Sequence, residues 1–254
     1  MQDKYVGDVG DFGKYGLLNT IYEKCEESIT LGINWYYVKG EKTAGKDGRY
    51  IDYLDETNRN WRKYEKCFPE LYSKLKQIVE TCRNIRGIEE GEVLPAGTIF
   101  YSEPLPMLKG SSSKRVEERK AWFFASLDVL KNSEITFLDP DNGIETGKID
   151  KGNLRAIKYA FRDEIMSYYK EGKSVIIYNH RDRKPKQHYD KRITSSPGVP
   201  RENIKVIKFK RYSVRHFVFL MQDKHRDLIE WVISCLTSEK EPYSFLFEIY
   251  EIDH

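Results

Sequence analysis

The stretch that decides the fold is Ile135-Thr136-Phe137-Leu138-Asp139-Pro140-Asp141-Asn142-Gly143-Ile144-Glu145. Four β-branched or large apolar residues run directly into carboxylates, a proline and an Asn-Gly pair. A short apolar run that ends in turn residues is typical of a strand buried on both faces of a parallel sheet. Pro140 cannot donate to a strand ladder, so Asp139 is expected at the strand's carboxyl end, and Asn142-Gly143 predicts a tight turn.

A second apolar run extends this strand into a βαβ unit. Ser174–Tyr178 reads as another buried strand, and a helix is expected over 153–171, with Gly172 just beyond its end. Strands joined in this way are parallel, so their carboxyl ends meet at one edge of the sheet, where ligands bind in open α/β folds. We assign the polar residues that converge there as candidate catalytic residues: Asp139, Asp141, Asn179 and His180.

The remaining pattern alternates short apolar runs with helical periodicity. It predicts an α/β fold, a three-layer sandwich with a mostly parallel sheet and a C-terminal antiparallel hairpin. Further strands are expected at 31–38, 98–101, 204–209, 213–220 and 243–252. Further helices are expected at 12–27, 57–86 (split near Pro69), 114–131 and 224–236. Neither a repeat nor a low-complexity linker interrupts the chain, so residues 1–254 are interpreted as a single α/β domain.

Composition narrows the class of protein. Hydrophobic residues make up 39% of the 254 residues and charged residues 33%, and the net charge is +3. The sequence has no run of 18 apolar residues and no leader-like apolar segment, so we expect a cytoplasmic protein without a membrane partner. The four cysteines are scattered without a Cys-x-x-Cys pair or a Cys/His cluster, which argues against a zinc site and a disulfide framework. The sequence gives no indication of oligomeric state.

The N-terminal segment carries a glycine every third residue. These glycines are Gly7, Gly10, Gly13 and Gly16, and they would let a backbone or a ligand approach closely. An aspartate at position 8 or 11 could cap the following helix. The alternative is a glycine-rich helix entry packed tightly on the sheet. Because acids, a lysine and a tyrosine gather here, we assign candidate substrate-binding residues: Asp8, Asp11, Lys14 and Tyr15, together with Asn142.

Basic residues cluster between positions 181 and 215 and in a glycine-rich loop at 39–50. Cationic side chains neutralise phosphates and interleaved aromatic rings stack on bases, so DNA is the expected partner. An ordinary solvated surface is the alternative. The loop is not a Walker motif, because Gly45-Lys46 is followed by Asp47. The candidate nucleic-acid-binding residues are Lys42, Lys46, Arg49, Arg181, Arg183, Lys184, Lys186, Arg192, Ser195, Ser196, Lys210 and Arg211.

The site elements resemble those of the uracil-DNA glycosylase superfamily. Asp139-Pro140 after a buried strand resembles the family's strand-to-Asp-Pro turn, and Asn179-His180 resembles its base-reading asparagine and its histidine. Ser195-Ser196-Pro197-Gly198 resembles a phosphate-pinching loop, although the order and spacing of these elements differ from the family pattern. The resemblance implies a DNA glycosylase that flips out and excises a base without a cofactor. It also implies kinship with glycosylases of phage defence that act on modified bases.

Three other functions stay open. Asp139-Pro140-Asp141-Asn142 loosely resembles a turn of S-adenosylmethionine-dependent nucleic-acid methyltransferases, and residues 10–18 resemble the N-terminal stretch of ribosomal RNA adenine methyltransferase relatives. The glycine-rich turn that receives the methyl donor after the first strand is missing, however. Asp139, Asp141 and Glu145 could instead hold the metal of a nuclease. A non-catalytic nucleic-acid-binding protein or a toxin–antitoxin-like partner is the third possibility.

Overall fold

The computed structural model of the protein describes residues 1–26, 28–40, 48, 50–106, 110–182 and 184–253. Its strands are β1 Leu31–Asn34, β2 Ile99–Tyr101, β3 Ile135–Leu138, β4 Gly143–Ile144, β5 Tyr159–Ala160, β6 Ser174–His180, β7 Ile204–Phe209, β8 Arg215–Leu220 and β9 Phe247–Ile249. Its α-helices are α1 Val9–Lys24, α2 Trp61–Cys67, α3 Pro69–Thr81, α4 Ile85–Glu90, α5 Ser112–Val129, α6 Arg162–Lys170, α7 Lys186–Thr194 and α8 Arg226–Thr237. Four residues assigned to nucleic-acid binding lie outside the described residues: Lys42, Lys46, Arg49 and Arg183.

Seven strands form one sheet in the order β2-β1-β3-β6-β8-β7-β9, and β4 and β5 form a small parallel pair beside it. The first four strands of this order pair in parallel. β8 is antiparallel to both β6 and β7, and β9 is antiparallel to β7, so five of the seven strands point the same way. The predicted α/β class, the mostly parallel sheet and the C-terminal hairpin of β7 and β8 are confirmed.

Helices cover both faces of the large sheet. Strand side chains alternate between two hydrophobic cores, so Phe137 enters one core and its neighbour Leu138 enters the other. The first core contains side chains from α1, α2, α3, α4 and α8, and the second contains side chains from α5, α6 and α7. The predicted three-layer arrangement follows from this alternation.

Three predicted elements are wrong in their extent, and the first is the strand expected at 31–38, which ends at Asn34. The helix expected over 153–171 begins only at Arg162, because residues 154–158 form a 3-10 turn and β5 then pairs with β4. This pairing overrides the helical periodicity of the segment. The last strand is confined to Phe247–Ile249, since Pro242–Phe245 forms a 3-10 turn before it. Gly172, with a φ of +80°, does lie just beyond α6 as predicted.

Helix α1 brings the N-terminal residues to the sheet edge. The Asp8 carboxylate caps it by accepting hydrogen bonds from the backbone N–H groups of Gly10 (2.7 Å) and Asp11 (3.1 Å). A Cβ atom at Gly13 would lie 2.6 Å from the ring of Phe209, so α1 packs closer to the sheet than any other residue would allow. No helix within the described ranges has the length and apolar character needed to cross a membrane.

Candidate active site

A cavity of about 370 Å³ lies at the carboxyl ends of β3 and β6. We call it the site pocket, and the ionisable or aromatic side chains that matter most for its chemistry are Asp8, Lys14, Asp139, Tyr178, His180 and Arg215. A larger groove of about 1480 Å³ runs along β7 and α8. None of the charged side chains that line this groove is buried, whereas the site pocket combines buried acids with buried bases. Ionisable groups held out of water in a cleft are the usual mark of a functional site.

Lys14 and two aspartates form a buried ionic cluster at the base of the site pocket. The Lys14 ammonium lies 2.8 Å from Asp139 Oδ2 and 2.9 Å from Asp11 Oδ1, and 4.3 Å from the centre of the Tyr178 ring. Burial lowers the pKa of Lys14, but the charges of Asp11 and Asp139 outweigh it and raise the pKa well above its ordinary value. Lys14 is therefore a permanent cation at neutral pH.

Asp139 keeps one oxygen available to a ligand. Its backbone N–H donates to the Asn34 carbonyl (3.0 Å), which fixes the residue directly beyond β3. Oδ2 accepts from Lys14, whereas no described residue donates a hydrogen bond to Oδ1. Burial raises the pKa of the Asp139 carboxyl, and Lys14 only partly offsets this effect. Asp139 is thus more basic than an ordinary aspartate while a neighbouring cation favours its charged form.

Asp141 is in a different electrostatic state from Asp139. Its Oδ1 lies 3.1 Å from the Met1 amine, and its Oδ2 accepts from Gln2 Nε2 at 2.6 Å. Burial raises the pKa of Asp141, but the Met1 amine and Gln2 outweigh burial and lower it overall. Neighbouring carboxylates whose environments push their pKa values apart are suited to different roles in one reaction.

β6 and β8 add three further side chains. His180 pairs with Arg215 across these strands, and the ring of His180 packs edge-on against Tyr178 at 5.2 Å between centroids. Burial, together with the charges of Arg215 and Lys14, lowers the pKa of His180 to about 4, so the imidazole is neutral at pH 7. Arg215 is 3% exposed and its Nε has no hydrogen-bond partner among the described residues. Its Nη2 lies 3.8 Å from Asp8 Oδ2.

Asn179, assigned by sequence as a catalytic residue, faces the other side of the sheet. Its Oδ1 accepts from the Ile144 backbone N–H (2.8 Å) and its Nδ2 donates to the Tyr189 hydroxyl (2.7 Å). The side chain is fully buried and does not line the site pocket. Asn179 therefore holds the turn that follows Asp139 in place. The reason is the alternation of side chains along a strand, which sends Tyr178 and His180 to the pocket and Asn179 away from it.

The N-terminal candidates take up separate positions. Asp8 and Lys14 line the site pocket, and Asp11 lies behind Lys14. Tyr15 is buried one step further inside, packed edge-on against Trp35 at 6.3 Å, and its hydroxyl has no partner among the described residues. Asn142 lines the pocket, and its backbone N–H donates to the Lys158 carbonyl (2.8 Å).

The basic segment after β6 is largely engaged in internal contacts. Arg192 is buried, and its guanidinium donates to the Ile144 carbonyl (2.6 Å) and to Asp182 (2.9 Å). Arg181 lies 4.4 Å from the centre of the Tyr189 ring. The side chains of three other candidate nucleic-acid-binding residues have partners: Lys186 pairs with Asp190 and Asp253, Lys210 pairs with Glu248, and Arg211 donates to the Phe245 carbonyl. The remaining three make backbone contacts: the Lys184 N–H donates to Asp182, the Ser195 carbonyl accepts from Arg162, and the Ser196 N–H donates to the Thr194 carbonyl. A dense run of charges in the sequence thus corresponds mostly to an internal network.

Sequence reasoning missed Tyr178, Arg215 and Lys158 as pocket residues. Lys158 is exposed at the rim of the pocket. Its ammonium is close enough to Asp141 to lower the pKa of that carboxyl. Glu145, the third acid of the nuclease hypothesis, pairs with Arg162 at 3.2 Å instead of joining the pocket acids. Among the described residues, no three His, Cys, Asp or Glu side chains are grouped so as to hold a metal ion. No protein-family model matches the chain, and no curated protein matches it at a significant level.

Proposed function

We propose that this protein is a DNA glycosylase, a hydrolase that cleaves the N-glycosidic bond of a nucleotide flipped out into the site pocket. The observation that carries the proposal is the buried Lys14–Asp139 pair, in which Asp139 Oδ1 remains available beside the cavity. A carboxylate held in this way can stabilise the cationic sugar that forms as a base departs. Lys14 keeps the carboxylate charged and fixes its orientation.

The dimensions and lining of the site pocket suit a nucleoside unit. Pockets for small ligands measure roughly 300–1,000 Å³, and this one measures about 370 Å³. The Tyr178 hydroxyl and the neutral His180 imidazole can each both donate and accept a hydrogen bond. The Arg215 guanidinium, which lines the same pocket, adds a fixed positive charge.

The reaction uses water as the only co-reactant. The bond between C1′ and the base nitrogen breaks, and its electron pair stays on the nitrogen while positive charge develops on the sugar. Asp139 stabilises that charge and accepts a proton from the water that attacks C1′; its raised pKa favours this transfer. Arg215 stabilises the negative charge on the departing base. Asp139 then releases its proton through solvent to the base nitrogen, which restores the carboxylate. The products are the free base and an abasic site.

The rim of the pocket supports a nucleic-acid strand as the substrate. Lys158 provides an exposed cation there, and the phosphates next to a flipped nucleotide need such partners. After β1 the chain continues into Trp35-Tyr36 without the glycine-rich turn that receives a methyl donor, and the Met1 amine lies 2.9 Å from the Trp35 carbonyl and 3.0 Å from the Asp139 carbonyl. Excision therefore fits the described residues better than methyl transfer does.

The test is a base-release assay on single- and double-stranded oligonucleotides that carry normal or modified bases. We expect strand breaks only after alkali treatment, equally with and without EDTA. We expect Asp139→Asn to lower the rate about 10²–10³-fold. The matched control is Asp128→Asn, which removes an equally charged residue from an exposed pair with Lys131. Breaks that need magnesium but no alkali, or methyl groups transferred from S-adenosylmethionine, would overturn the proposal in favour of a nuclease or a methyltransferase.

A further inference from the structure

Two exposed tyrosines lie together at the mouth of the site pocket. Tyr50 lines the pocket, and its ring centroid is 4.8 Å from that of Tyr212, with the two planes inclined at 44°. Tyr50 is 43% exposed and Tyr212 is 45% exposed. Each ring therefore contacts the other on one side and leaves much of its surface open to solvent. Burial of these rings in the core would stabilise the fold more than this exposed arrangement does.

Both tyrosines are held in fixed positions. The Tyr212 hydroxyl donates to Asp52 Oδ2 at 2.6 Å, and Asn58 Nδ2 lies 3.4 Å from the same hydroxyl. Tyr212 has a φ of +58°, a left-handed conformation that is uncommon for a bulky residue. The turn between β7 and β8 thus accepts local strain at the residue that carries the exposed ring. Strain of this kind concentrates at functional positions.

The same segments also build the pocket. Tyr212 is followed by Ser213, which lines the pocket, and by Arg215, whose guanidinium faces it. The Tyr50 carbonyl accepts from the Val9 backbone N–H at 2.9 Å, which ties Tyr50 to the first turn of α1. The two rings consequently have a fixed distance and orientation relative to Lys14 and Asp139, as a substrate-positioning surface requires.

We infer that Tyr50 and Tyr212 form a stacking platform for the base that flanks the flipped nucleotide, so that the ligand of the site is a polynucleotide strand and not a free nucleoside. The inference rests on the proposed function, because it takes the ligand in the pocket to be a nucleotide. Aromatic side chains beside a strand bind successive bases through their faces without reading sequence. The hydroxyl of Tyr212 is engaged by Asp52, which leaves the ring face as its contact surface.

The test measures binding separately from chemistry. A single-stranded oligonucleotide that carries 2-aminopurine is titrated with protein, in the Asp139→Asn background so that base release is slow during the titration. We expect Tyr212→Ala and Tyr50→Ala each to weaken binding about fivefold or more and to reduce the quenching of 2-aminopurine that stacking causes. Tyr50→Phe, the matched control, keeps the ring and should keep the affinity. The loss should be larger for the oligonucleotide than for a free deoxynucleoside.

The outcomes separate this inference from the proposed function. Unchanged affinity in folded alanine variants would overturn the platform even if base excision is observed in the wild-type protein. An equal loss for oligonucleotide and deoxynucleoside, or a phenylalanine variant as weak as the alanine variant, would also overturn it. If the wild-type protein releases no base from any substrate but the alanine variants still lose oligonucleotide binding, the platform stands and the glycosylase proposal fails.

Discussion

The Lys14 ammonium lies 2.8 Å from Asp139 Oδ2, although 125 positions separate the two residues in the chain. This contact joins the first turns of α1 to the end of β3. Both side chains are almost fully buried, so the cost of removing their charges from water is offset mainly by their mutual attraction and by Asp11. The stability of the fold and the geometry of the site pocket therefore depend on the same ion pair.

Removing the lysine should destabilise the protein strongly. Lys14→Met leaves the Asp11 and Asp139 carboxylates buried without their cation, and such a change typically costs about 3–5 kcal/mol. The measurement is the free energy of unfolding in urea. The control is Lys24→Met on the same helix, which removes an exposed lysine that lies 4.1 Å from the centre of the Trp231 ring. Equal losses for the two variants would show that the buried pair contributes little.

The destabilisation of Lys14→Met should depend on pH in a defined direction. In the wild-type protein, burial already raises the pKa of Asp11 and of Asp139. Without Lys14 the charged forms are disfavoured further, so the carboxyls take up protons at a higher pH. The stability of the variant should approach that of the wild type as the pH falls, and a difference that stays constant would contradict this explanation.

His180 should stabilise the folded protein at a pH above 6.5, its pKa in the unfolded chain, and this contribution to the free energy of unfolding should be lost in acid. The folded state lowers this pKa from 6.5 to about 4, so the unfolded chain binds the proton more readily between these values. The free energy of unfolding of the wild type should therefore fall, relative to that of His180→Gln, as the pH is lowered from 6.5 towards 4. The comparison removes the opposite contribution of the buried aspartates. The exposed His188, changed to Gln, is the control and should follow the wild type.

Lys158 should contribute to DNA binding through a phosphate. Lys158→Gln should weaken binding to all sequences by a similar factor and reduce the salt slope of the affinity by about one. The measurement is the dissociation constant over a series of salt concentrations. Lys205→Gln is the control. Lys205 lies near the start of β7, away from the carboxyl ends of β3 and β6, and pairs with Glu230 at 3.2 Å. A slope unchanged in both variants would remove Lys158 from the interface.

Asn179 should act on stability and not on the choice of base. Asn179→Ala leaves the Ile144 N–H without a partner and removes one of the hydrogen bonds of the Tyr189 hydroxyl, which keeps its contact with His216, at a cost of about 1–3 kcal/mol. Any loss of activity should follow from displacement of the turn after Asp139 and should affect all substrates equally. A change in base preference without a change in the free energy of unfolding would instead indicate contact between Asn179 and the substrate.

The sequence was sufficient to bring Asp139 and His180 to one edge of the sheet. A βαβ connection makes β3 and β6 parallel, and the observed register pairs Leu138 with Ile177. It was not sufficient to choose between Tyr178 and Asn179 as the pocket residue, since a strand buried on both faces shows no alternation of polarity. The packing of α1 against the face that carries Tyr178 decides which side chain reaches the pocket.

The position of Arg215 depends on pairing between distant strands, and the contacts of the basic segment depend on ion pairs with residues far along the chain. The sequence predicts the hairpin that pairs β8 with β7, but no local pattern predicts that β8 also pairs with β6, which places Arg215 opposite His180. The carboxylates that engage Lys186 and Lys210 come from Asp253 and Glu248, far along the chain. A count of positive charges within one stretch of sequence does not include these distant carboxylates, so it cannot predict how many of the charges remain available to bind phosphates.

The contact between Gly13 and Phe209 has a consequence for how this protein can evolve. The Phe209 ring sets the distance between α1 and the sheet, because it packs directly against Gly13. A Cβ atom at position 13 would lie only 2.6 Å from this ring. Lys14 is the next residue of that helix, so the same distance determines whether its ammonium reaches Asp139. A larger residue at position 13 can persist only if a smaller one replaces Phe209. We therefore expect natural variation at these two positions to be correlated, although both lie in the core and neither lines the pocket.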